Sequence, residues 1–282
     1  MQALLTCTLS LALAVVVCAG AADPDPIREN IDQAKATFEA DMAKYNAAAE
    51  AYFAKRERAA RDAGNRKLVD QIKVEQKAFA EWGDLPKTGT LELKRIAADA
   101  QRVVTTAFRA SVKEFVKEKK DKEADGAEKE LIAVLVKAHR AAYAADLKPA
   151  HTTTIEGWAV EKRKIAINDR EFPNAILMHA RTNTFSDAEY GLNSGYGLIR
   201  GLIVVARPNG VQGKGPQTAV WFEIKDVGKK KNLWVSKRVP NYDDPQDFAI
   251  NISSVDVLNL SVHCPGTHEY CHSHWLDALL IR

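Results

Sequence analysis

The sequence predicts α and β structure in separate domains, with N-terminal helical hairpins of coiled-coil-like pattern followed by an antiparallel β-sandwich. Three observations carry this. Apolar residues recur at steps of three and four through residues 27–147. Beyond Leu147-Lys148-Pro149-Ala150 the pattern changes to short alternating runs separated by Pro, Gly and Asn turns. Residues 1–21 are of a third kind, an apolar run ending in small residues.

That first segment predicts an export signal. Its apolar centre, residues 9–17, is too short to cross a bilayer comfortably, and Ala19-Gly20-Ala21 fits a secretory cleavage site. The n-region has no Lys or Arg, which leaves an uncleaved anchor as the alternative. A lipoprotein centred on Cys18 fits less well, because Val17 is not small. No later apolar run approaches the ~20 residues of a membrane-spanning helix. The expected location is therefore periplasmic or extracellular.

The helical region reads as four stripes. The first is Ile27, Ile31, Ala34, Phe38, continued after one slip by Met42, Tyr45, Ala49 and Tyr52. The second is Leu68, Ile72, Phe79, Trp82, and the third is Leu93, Ile96, Ala100, Val103, Ala107, Ala110. The fourth is Leu131, Leu135, Ala138, Ala142, Ala145. Gly64-Asn65 supplies a left-handed C-cap and the next N-cap, the loop 83–90 separates the hairpins with Thr90 as N-cap, and Gly126 is the candidate fourth boundary. Tyr52-Phe53-Ala54 resembles Phe108-Arg109-Ala110, so the two hairpins read either as a duplication or as alike by composition alone. The region is expected to be a spacer, an oligomerising stalk or a small bundle, and it has no catalytic spacing.

Domain 152–282 carries eight expected strands at 155–160, 175–179, 198–206, 219–225, 233–236, 248–252, 257–263 and 275–281. Eight short strands at this spacing make an all-β sandwich or barrel. Three stretches here resemble one family. The first is Phe172-Pro173-Asn174-Ala175-Ile176-Leu177-Met178-His179-Ala180. The second is Tyr190-Gly191-Leu192 with the strand from Tyr196 to Ile203. The third runs through Trp221-Phe222-Glu223-Ile224, Leu233-Trp234-Val235-Ser236 and residues 255–262 to His272-Ser273-His274-Trp275-Leu276-Asp277. Together they resemble the NPCBM family of carbohydrate-binding modules. The resemblance implies a galactose-binding-like jelly roll, a carbohydrate ligand, and a last strand that closes the sandwich with Trp275 or Leu276 in its core and Asp277 near the edge.

Composition removes several function classes. A net charge of +3 over 282 residues gives no nucleic-acid footprint. Gly195-x-Gly197-x-x-x-Gly201 lacks the βα unit of a dinucleotide fingerprint, and Ser194 is not in a hydrolase elbow. No carboxylate pair marks a glycosidase. The expectation is a non-enzyme without cofactor or metal. The stretch 263–274 gathers four histidines, two thiols and Glu269, all capable zinc ligands, but Cys-x6-Cys is not a zinc-finger spacing. With Pro265-Gly266-Thr267 as a turn, Cys264 and Cys271 are expected to face each other across a hairpin as a disulfide. His272 and His274 share a strand face, where a buried, hydrogen-bonded histidine is the commoner outcome, and the candidate ligand site is around them and His179. Tyr196 and Tyr242, in turns, are the candidate sugar platforms, whereas Trp158, Trp221, Trp234 and Trp275 are expected in the core. The leading reading is an exported binding protein for carbohydrate or an envelope protein, with a possible homo-oligomer through the helices. The alternative is an assembly protein whose sandwich docks other proteins.

Overall fold

The computed structural model describes residues 25–86, 88–154, 159–193 and 195–282. The export segment with Cys7 and Cys18, Trp158, Ser194 and most of the expected strand at 155–160 lie outside them.

Four helices come first: α1 (Pro26–Asp62), α2 (Arg66–Trp82), α3 (Leu91–Lys117) and α4 (Asp121–Lys137). Their ends follow the cap chemistry. Asp25, Asn65 and Thr90 each accept a backbone N–H of the first turn, from Ile27 (2.9 Å), Leu68 (3.0 Å) and Leu93 (3.3 Å). Gly83 closes α2 at φ +68°, and a Cβ there would sit 2.7 Å from Cβ of His139, so only glycine fits. Gly126 does not break a helix. It lies inside α4, and the α3–α4 turn forms at Lys119 with φ +58°.

The first stripe runs without a slip, burying Ile27, Ile31, Ala34, Phe38, Met42, Tyr45, Ala49 and Phe53. The third is rotated by one position, to Ala97, Val104 and Phe108, leaving Val103 exposed. In α2, Val69 and Ile72 are buried while Trp82 is exposed. Helices α1, α3 and α4 share one core, whereas α2 packs on the second half of α1 through Phe53, Val69 and Ile72. Glu130 of α4 receives Arg28 (2.6 Å) and Lys35 of α1, pinning those helices together.

The last stripe was expected to run through Ala145, but α4 stops at Lys137. Ala141 to Tyr143 instead form β1, which pairs with the last strand, and a 3-10 turn follows at Ala144–Asp146. The remaining strands are β2 (His151–Thr153), β3 (Glu161–Ile167), β4 (Arg170–Met178), β5 (Thr184–Gly191), β6 (Leu198–Val205), β7 (Trp221–Asp226), β8 (Lys231–Val235), β9 (Gln246–Asn251), β10 (Val257–Cys264) and β11 (Ser273–Ile281). They form two antiparallel sheets. The first has the order β3-β4-β11-β6-β9, with β1 beside the far end of β11, and the second has the order β2-β5-β10-β7-β8. The separate α and β architecture therefore holds, and the β part is a two-sheet sandwich of the jelly-roll kind.

Inward side chains of both sheets fill its core. Trp275 lies at the centre, its ring 5.2 Å from Phe222 and 5.4 Å from Phe248. The outer face of the first sheet is covered in part by the helices, because Leu279 and Ala141 are buried in the α1–α3–α4 core. Among the described residues no such layer of helices covers the outer face of the second sheet.

Candidate functional site

Along β5, β10 and β7 the inward residues are mostly apolar, among them Ala188, Leu260, Val262, Phe222 and Ile224. Period-two geometry then turns the alternate, mostly polar residues outward. Register aligns them in three rows across the sheet: Phe185–His263–Trp221, then Asp187–Ser261–Glu223, then Glu189–Asn259–Lys225. A depression of about 360 Å³ lies over these rows.

The groups on this face are held in fixed positions. Asn259 donates to Asp187 Oδ2 at 2.7 Å, and the backbone N–H of Thr153 donates to Oδ1 at 3.1 Å. The Trp221 indole N–H donates to Glu223 Oε1 at 3.0 Å. The other Glu223 oxygen lies 2.5 Å from Lys225 Nζ and 3.2 Å from His263 Nε2. Burial alone would raise the Glu223 carboxyl. The bonds from Lys225 and Trp221, with the neighbouring His263, outweigh it, so the carboxyl titrates below its usual range. Trp221 stacks on His263 at 5.0 Å and 9°, with the Arg238 guanidinium 4.6 Å from the Trp221 ring centroid. Phe185 ends this row with 39% of its surface exposed. The face thus offers an open ring edge beside fixed acceptors and donors, with neighbouring rows roughly 7 Å apart along the strands.

The second cluster lies at one end of the sandwich. His179 follows β4 and His272 precedes β11, strands that are paired at Met178 and Ser273. Their rings stand 5.4 Å apart, and His268 is the same distance from His179. Thr182 fixes His268, its hydroxyl hydrogen-bonded to the ring Nδ1 at 2.6 Å and accepting the His268 backbone N–H at 3.3 Å. Burial, reinforced by the neighbouring His272 and His268, holds His179 to about 4, and burial holds His274 to about 4. Among the described residues no group of His, Cys, Asp and Glu is arranged to hold a metal ion.

The NPCBM/NEW2 domain matches residues 140–281, half of the chain. The chain belongs to the NPCBM/NEW2 domain family. No curated protein matches it. Among solved structures the chain is similar to a CBM51 module of Clostridium perfringens GH95 in complex with methyl-galactose, at 17% identity and TM-score 0.39, covering 50% of this chain and 99% of that one. It is also similar to the tandem CBM51 modules of the Streptococcus pneumoniae family 98 glycoside hydrolase, at 17% identity, TM-score 0.40, 50% of this chain and 47% of that one. A third is the CBM51-2 and INT domains of C. perfringens ZmpB, at 15% identity and TM-score 0.42, covering 50% of this chain and 31% of that one.

Within the NPCBM/NEW2 domain the expected site residues separate. His179 and His272 meet, joined by His268, which the sequence offers only as one of the four histidines of the stretch 263–274. His274 is 4% exposed and its Nδ1–H donates to the His272 carbonyl at 3.0 Å, so it is a buried structural group. Tyr196 and Tyr242 are not exposed platforms. Tyr196 is buried beneath the Arg282 guanidinium, 4.5 Å from its ring, and Tyr242 packs into the sandwich core with Arg207 above it.

Cys264 and Cys271 are free, buried thiols rather than a disulfide. The expected hairpin does not exist: β10 belongs to the second sheet and β11 to the first, so residues 265–272 cross between sheets and the two cysteines are not strand partners. The Cys264 thiol donates to the Thr267 carbonyl at 3.1 Å, and Cys271 points at the Thr218 carbonyl at 3.7 Å. Trp221, expected in the core, faces outward. The sequence does not single out the sheet-face residues Phe185, Asp187, Glu223 and Asn259, and it offers His263 only as a candidate zinc ligand of the stretch 263–274. Their signal was the polar alternate of each strand, which acquires meaning only once register is known.

Proposed function

We propose that this is an exported saccharide-binding protein whose ligand lies across the polar face of the second sheet, with the helices as its mount. The observation that carries the reading is an open depression lined by the in-register pairs Phe185–His263, Asp187–Ser261 and Glu189–Asn259, with Trp221 and Glu223 continuing the first two rows beyond it. A pyranose has an apolar C–H face and a rim of hydroxyls. The exposed Phe185 ring suits the first, and the preset Asp187, Asn259 and Glu223 side chains suit the second. Acceptors already held by neighbours lose little freedom on binding, which favours affinity from few contacts. Family membership supports carbohydrate as the ligand class, and the apolar run at residues 1–21 supports export.

The test is a glycan array probed with the purified protein, with methyl-galactose, the sugar named with the C. perfringens module, as a first soluble ligand. Wild type should bind at least one glycan class, and Phe185→Ala and Asp187→Ala should each weaken that binding about tenfold. Background binding across the array by folded protein would reject the reading and return the sandwich to a protein-docking role.

A further inference from the structure

Where the helices meet the sandwich there is a second cavity of about 400 Å³, between α3, α4 and the strands β6 and β11. Most of its wall is apolar, with Phe108, Leu131, Leu135, Leu198, Leu279 and Ile281, and Gln101, Thr105 and Thr106 add polar groups on α3. Around them stand the guanidiniums of Arg102, Arg109, Arg140, Arg200 and Arg282, against a single carboxylate, Glu128. Two of the five are paired elsewhere, Arg102 with Asp99 (3.1 Å) and Arg282 with Asp84 (2.5 Å). Among the described residues Arg109, Arg140 and Arg200 have no ion-pair partner. Arg140 has left most of its solvent, and its Nε–H donates to the neutral Gln101 amide at 3.0 Å. Burial pulls its pKa down to about 10, a sign that its charge is poorly compensated.

A largely apolar cavity flanked by three guanidiniums without an ion-pair partner selects one chemistry. A neutral hydrocarbon would leave the charges unsatisfied, and a small hydrated anion would leave the walls bare. The volume falls within the roughly 300–1,000 Å³ of small-molecule sites. We propose that this junction cavity binds an amphiphile with an apolar body and a carboxylate-type anionic head, the head meeting Arg140 and Arg200 and the body lying along Phe108, Leu131 and Leu279. Because α3 and α4 form one wall and β6 and β11 the other, such a ligand also ties the helices to the sandwich.

Titration calorimetry of the purified protein with decanoate, decanol and acetate tests this. Decanoate should saturate at one equivalent, with decanol and acetate each at least about tenfold weaker. Arg200→Gln should weaken decanoate about tenfold, and Ala98→Trp, a bulky group introduced at the cavity mouth on α3, should abolish binding. Both variants should keep the wild-type circular dichroism, and Phe185→Ala, on the opposite face, should bind decanoate normally. Failure of decanoate to saturate, decanol binding as tightly as decanoate, or full binding by Ala98→Trp would each overturn the proposal.

Discussion

At neutral pH the imidazoles of His179 and His274 are uncharged, since burial holds both to about 4 against 6.5 for a free side chain. The depressed histidines bind fewer protons folded than unfolded between those values. Their contribution to stability is therefore complete above pH 6.5 and is lost as the pH falls toward 4. Urea midpoints should fall across that window, and His179→Gln should flatten the fall. A midpoint independent of pH from 7 to 4.5 would contradict the assignment. Burial, with Cys264 beside it, pushes the Cys271 thiol up to about 12, so little reactive thiolate forms in the native state. Peptide mapping after iodoacetamide should find residues 264 and 271 alkylated only in denatured protein without reductant. Protection that persists there would mean that the two sulfurs are bonded.

At the scale of elements, β11 is the closing strand and its irregularity sets a strict demand on β6. Pairing slips between Leu276 and Leu279, and a Cβ at Gly201 would lie 2.8 Å from the Leu276 carbonyl oxygen and 3.0 Å from Cα of Ala278. Gly201→Ala should destabilise the sandwich by about 1–3 kcal/mol in urea unfolding. Strands such as β6 and β10 were legible in the sequence because their inward residues are β-branched or leucine. Strand β5 was not, since Ser186 and Ala188 point inward while Phe185 points out, a pattern that hides its periodicity. Short β1 was read as helix because Ala142 and Ala145 continue a four-and-three spacing. In α3 the drift from Val103 to Val104 has the same cause, for alanine marks neither face of a helix. The histidine pair at 179 and 272 could be anticipated from position alone. The sheet face could not, because three strands distant in sequence meet there only through their register.

For the whole molecule, the sandwich and helices are joined through one side chain as much as through the apolar contact. The Arg282 guanidinium donates to Asp84 (2.5 Å) and to the carbonyls of Trp82 (2.7 Å), His139 (2.8 Å) and Gly195 (3.3 Å), and it covers Tyr196. Its side chain is 7% exposed, so Arg282→Ala removes the charge pair with Asp84 and three carbonyl contacts together. A loss of roughly 3 kcal/mol is expected, with the helices releasing before the sandwich melts in hydrogen exchange. A single unchanged transition would show that the apolar contact alone holds the junction. The proposed saccharide face lies on the opposite side of the sandwich, where that variant should bind its glycan unchanged. The most direct measurement of it is amide chemical-shift mapping with the glycan selected on the array. Binding at the polar face should perturb residues 185–189, 221–225 and 259–263, whereas shifts confined to residues 179, 268 and 272 would place the ligand at the histidine cluster and contradict the account.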